Sequence, residues 1–196
     1  MVRALVVAAL LGVFGLAQEP AVVREKGRDH FETAFSGGHL RIQIRSGDVR
    51  ITGSDNDKIT IHYEGGQANE IDDVEVRFQR TSAGGDLKMS GGPRNDFHIL
   101  IEIPRETDLY LRMPFGALAV ERIRGGKDIE LHAGDAEIEI GDPNDYSLIE
   151  ASVTTGGLDS PPLGISKGGL FRSFKRDGPG KFKLHAHVGS GELNLR

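Results

Sequence analysis

Three histidines have the spacing to meet a metal ion. His185 and His187 flank Ala186, and residues i and i+2 of a strand share one face. Two imidazoles placed so could ligate zinc or copper with a third donor, and His132 is the candidate for it. Alternation puts all three on an outward face, where solvated histidines are the ordinary reading, so no metal site and no cofactor is assigned. Glu137 with Glu139, and Glu130 with His132, share outward faces in the same way. A glycosidase or lyase would need such groups to line a cleft around sugar. No H-E-x-x-H, P-loop or C-x-x-C pattern is present. The expectation is a protein that is not an enzyme, with a carbohydrate-active enzyme as the alternative.

Two acidic stretches, Asp55-Asn56-Asp57 and Asp142-Pro143-Asn144-Asp145, lack the ligand spacing of a calcium loop. Asp and Asn favour turns by bonding to their own backbone, which accounts for both. Lys175-Arg176 with Lys181 and Lys183 form a modest basic cluster. It could meet anionic headgroups or wall polymers, although surface charge alone explains it.

The start of the chain sets the compartment. Arg3 precedes an apolar run from Ala4 to Leu16, and Gly15-Leu16-Ala17 has the small residues of a cleavage site after Ala17. That is the layout of a secretory signal peptide, too short to span a bilayer. The protein is therefore expected to be exported, periplasmic or secreted, with no stable membrane anchor after signal removal. The whole chain carries 24 basic and 29 acidic residues, a net charge of −5. Loss of residues 1–17 removes one arginine and takes the charge to −6. This balance offers no electrostatic footprint for nucleic acid. There is no cysteine, so stability rests on burial and backbone pairing.

The elements that must position these side chains are strands. Residues 18–30 are polar and aperiodic, and read as a linker or disordered lead-in. Beyond them apolar residues alternate strictly: Leu40, Ile42 and Ile44; Val49 and Ile51; Ile59, Ile61 and Tyr63; Phe97, Ile99, Ile101 and Ile103. Leu109, Leu111 and Met113 continue the pattern, and Phe182, Leu184, Ala186 and Val188 repeat it near the end. Period two marks strands with one buried side. Residues 31–196 are read as one all-β domain, with Asp159–Gly168 as a loop around Pro161-Pro162.

A glycine followed by an apolar–x–apolar pair recurs at Gly47, Gly85, Gly116, Gly134 and Gly191, with weaker copies at Gly156 and Gly169. The later steps of 18, 22, 13 and 22 residues favour a parallel β-solenoid, where one turn stacks on the next. The antiparallel β-sandwich is the alternative, kept open by the step of 13.

Two segments then resemble a known family. The first is the series Phe31-Glu32-Thr33-Ala34-Phe35, Gly38-His39-Leu40-Arg41-Ile42, Ser46 to Gly53 and Asp57-Lys58-Ile59-Thr60-Ile61. The second is Gly178-Pro179-Gly180 with Gly189-Ser190-Gly191-Glu192-Leu193-Asn194-Leu195. Together they resemble the bacterial "putative adhesin" family, a domain of unknown function. Ala117 departs from its usual acidic residue, as does the break at Pro161-Pro162. The resemblance implies a single right-handed parallel β-solenoid in the cell envelope. On that basis the expected role is a binding or scaffolding module for an unknown envelope polymer or protein. Self-association through open strand edges is a further expectation.

Overall fold

The computed structural model describes residues 22–27, 29–66 and 68–196. The proposed signal segment, residues 1–17, lies outside the described residues. The chain is all-β. Its strands are β1 (Val22–Lys26), β2 (His30–Ala34), β3 (Gly38–Gln43), β4 (Ser46–Ser54), β5 (Lys58–Gly65), β6 (Glu75–Thr81) and β7 (Gly84–Ser90). They continue as β8 (Phe97–Pro104), β9 (Thr107–Glu121), β10 (Lys127–Ala133), β11 (Ala136–Ile138), β12 (Tyr146–Ser160), β13 (Ile165–Asp177) and β14 (Phe182–Leu195). One helical turn, α1 (Ala68–Ile71), interrupts them.

At the centre is a parallel ladder. β9 pairs with β3 and β4 on one side and with β10 and β11 on the other. β14 follows β10 and β11, and β12 follows β14, all parallel. The rungs therefore do not stack in chain order, because the C-terminal strand lies between β10 and β12. The sequence spacing had implied consecutive stacking. The step of 13 residues has a separate cause: Gly156 and Gly169 face each other in the antiparallel hairpin of β12 and β13. Asp159–Gly168 is accordingly mostly strand, with only a short 3₁₀ turn at Pro161–Leu163 between the two strands.

Each rung changes inward parity at one glycine. Ile44 and Val49 bracket Gly47, Met113 and Leu118 bracket Gly116, and Leu131 and Ala136 bracket Gly134; all six flanking residues are buried. Val153 and Leu158 bracket Gly156, and Val188 and Leu193 bracket Gly191, with the same burial. Because side chains alternate with period two, the extra residue keeps both halves of a rung facing the core. The glycines stack into a column. A Cβ on Gly134 would lie 1.8 Å from the Gly116 carbonyl oxygen, and one on Gly191 would lie 1.9 Å from that of Gly134. Their φ angles of 130° and 139° add a second exclusion of larger residues.

Two branches leave the first rung. β3 pairs in parallel with β7, which continues antiparallel through β6 to β1. β4 pairs in parallel with β8, which continues antiparallel through β5 to β2. Phe35, just past β2, meets Phe78 of β6 edge to face at 6.0 Å, so the branches close on one core. An antiparallel sandwich is thus excluded for the ladder, and antiparallel pairing is confined to the branches and the terminal hairpin. Part of the segment read as a lead-in forms strand β1, whose Arg24 is held to Glu75 at 2.7 Å.

The alternating residues form a single cluster. Ile42, Ile51, Ile61, Ile101 and Leu111 are wholly buried, each worth about 1.5–3 kcal/mol in apolar transfer. Phe182, expected inward, is only half-buried.

Candidate binding face

Parallel pairing in register lines up equivalent outward side chains across the ladder. One row runs Asp86, Arg41, Tyr110, Asp128, His185, Glu150 and Lys175, on β7, β3, β9, β10, β14, β12 and β13. At about 4.8 Å per strand this row spans roughly 29 Å. A second row follows two residues on, with Lys88, Gln43, Arg112, Glu130, His187, Ser152 and Ser173.

Tyr110 is the aromatic centre of the face. The Arg112 guanidinium carbon lies 3.7 Å from its ring centroid and that of Arg41 lies 4.6 Å away. Cations are attracted to the negative face of an aromatic ring. Arg112 is fixed in turn: Nη2 donates to Asp128 Oδ1 at 2.8 Å and Nη1 to the Asp128 carbonyl at 3.1 Å. Its Nε pairs with Glu130 at 2.9 Å. Arg41 is held loosely by Asp86 at 3.6 Å and is half exposed. Asp108 accepts from the Gly126 backbone at 2.6 Å, anchoring the turn beside the row. Arg41, Asp86, Asp108, Tyr110 and Asp128 border an open trough of about 1130 Å³, rimmed by His39, Lys181 and Lys183. A hydrogen bond from Lys175, 2.8 Å away, holds the Glu150 carboxyl below its ordinary pKa.

The histidines singled out by spacing share this face but do not converge. His185 Nδ1 lies 3.3 Å from Asp128, and His187 Nδ1 lies 2.8 Å from Ser152 Oγ. His132 packs edge-on against Phe115. Among the described residues no group of three or more His, Cys, Asp or Glu side chains is placed to hold a metal ion. Glu137 pairs with Arg196 at 2.6 Å, Glu139 accepts from the Arg122 backbone at 2.9 Å, and Glu130 is tied to Arg112. Asp55 pairs with Arg105 at 3.0 Å, and Asp142 caps its own turn through the Asn144 backbone. Gly164-Ile165-Ser166-Lys167-Gly168 has G-x-S-x-G spacing, yet Ser166 is an exposed residue of β13 opposite Asp159 rather than part of a strand–turn–helix elbow. In the basic cluster, Lys175 is spent on Glu150, while Lys181 lies 4.6 Å over the Phe182 ring.

Sequence reasoning passed over Lys127, which is 2% exposed. Its Nζ donates to the Ile123 carbonyl at 3.0 Å and to Tyr146 Oη at 2.7 Å, and burial pushes its pKa down to about 8. It lies beneath the face rather than on it.

No protein-family model matches the chain, and no curated protein matches it. Among solved structures it is similar to a "putative cell adhesion protein" from Clostridium sporogenes. The two are 14% identical with a TM-score of 0.50, over 90% of this chain and 99% of the other. At that identity the likeness is one of fold.

Proposed function

We propose that this protein is an exported binding or scaffolding module of the bacterial cell envelope, adhesin-like and without catalytic activity. The observation that carries the reading is the transverse row through Arg41, Tyr110, Asp128 and His185. It presents alternating charge around a cation-flanked aromatic ring on one continuous face, suited to an extended polar polymer or protein segment. The adhesion label of the solved structure with this fold agrees with that use. On this reading the parallel ladder is a short right-handed β-solenoid with diverging ends, and residues 1–17 direct export before cleavage after Ala17.

The test is co-sedimentation of the purified chain with isolated bacterial envelopes, before and after protease treatment of the envelopes. Saturable binding that falls at least about tenfold in Tyr110→Ser and Arg41→Ser is the expected result, since each removes half of a cation–π contact. Protease sensitivity separates a protein partner from a polymer. Absence of saturable binding, or variants that bind like wild type, overturns the proposal.

A further inference from the structure

The pair of histidines brought together by the β2–β5 pairing belongs to a branch and not to the rows of the ladder face. His30 and His62 are directly opposite each other in that antiparallel pair. Their ring centroids are 4.5 Å apart with planes inclined by 38°, and Nδ1 faces Nδ1 at 3.3 Å. His62 is exposed and His30 half-buried, and neither belongs to the core, so an ion reaches the pair without rearrangement of the core.

That separation is long for a hydrogen bond between ring nitrogens, where donor–acceptor distances centre near 2.9–3.0 Å. It matches the distance between two ligands on one tetrahedral ion. With zinc–nitrogen bonds of about 2.0–2.1 Å, two imidazole nitrogens sit about 3.3 Å apart. Square-planar copper, with adjacent ligands at a right angle, would draw them to about 2.9 Å. We infer that His30 and His62 form a cross-strand chelate for a zinc ion through their Nδ1 atoms. Each imidazole then carries its proton on Nε2. Among the described residues no third His, Cys, Asp or Glu completes a cluster here, so water fills the remaining positions. Zinc bound this way clips β2 to β5, its one strand partner among the described residues.

The experiment titrates the untagged, full chain with zinc chloride alone, followed by calorimetry and by histidine proton-NMR shifts. Wild type binds one equivalent saturably, and the His30 and His62 ring signals are the ones that move. His30→Asn and His62→Asn each weaken binding by at least about tenfold, while the His185→Asn/His187→Asn double variant binds like wild type. At about a hundredfold excess over Kd, zinc raises the wild-type Tm by about 5–10 °C and leaves the His30→Asn Tm unmoved. No saturable binding up to roughly 100 μM zinc, or binding that survives both single substitutions, overturns the assignment.

Discussion

The Lys127 ammonium and the Tyr146 hydroxyl are 2.7 Å apart, both buried where the turn before β12 closes over β10. Desolvation lowers the Lys127 pKa to about 8 from 10.5 and raises that of Tyr146 above its ordinary value. Between pH 8 and 10.5 the unfolded chain holds more of the lysine proton than the folded one, so stability rises with pH. Above pH 10 unfolded Tyr146 loses its proton while the folded residue keeps it, and the trend is opposed. Urea unfolding across pH 8–10 is expected to show a gain of about 2–3 kcal/mol from this lysine. Lys127→Met should flatten the slope over that window.

The glycine column predicts a graded response to one added methyl group. Gly134→Ala places Cβ inside the Gly116 carbonyl at positive φ, and should cost more than about 3 kcal/mol. Gly141 also has positive φ, at 66°, but a Cβ there meets nothing within 4 Å. Gly141→Ala should cost only the left-handed backbone penalty, about 1–2 kcal/mol. Paired denaturant titrations separate the two.

Arg112 organises the outward face through Tyr110, Asp128 and Glu130 together. Arg112→Ala is expected to lower stability by about 1–3 kcal/mol, since charge-assisted bonds are lost from a partly buried group. Arg112→Lys should recover little, because a point charge cannot serve both carboxylates and the ring. Chemical denaturation of the two variants gives the comparison.

The outermost strand carries two exposed apolar residues, Leu170 at 61% and Phe171 at 79%. The β13 edge they occupy has no strand partner beyond β12 among the described residues. Sedimentation velocity should show concentration-dependent association of the wild type, reduced in Leu170→Lys/Phe171→Ser. The Tm should stay nearly constant, as surface changes usually lie within about 0.5 kcal/mol.

The inward residues were legible because period-two alternation is local. Leu40 to Ile44 and Phe97 to Ile103 could be assigned from spacing alone, and so could the recurrence of glycine before an apolar pair. Strand order was not legible, because nothing near Leu184 or Leu193 says that β14 lies between β10 and β12. The hairpin partner β13 was missed since it buries almost nothing and so lacks alternation. The outward placement of His185 and His187 followed from their parity opposite to the inward Ala186. Their neighbours Asp128 and Ser152 depended on pairing across tens of residues. His30 and His62, 32 residues apart, met the same obstacle.

The position of β14 bears on how the molecule is made. A chain that emerges amino end first leaves a gap between β10 and β12 that only β14, Phe182–Leu195, made after both, can fill. The central ladder is therefore completed only once β14 has been made, rather than rung by rung. Premature termination would yield a chain with two unmatched edges, a ready substrate for proteolysis.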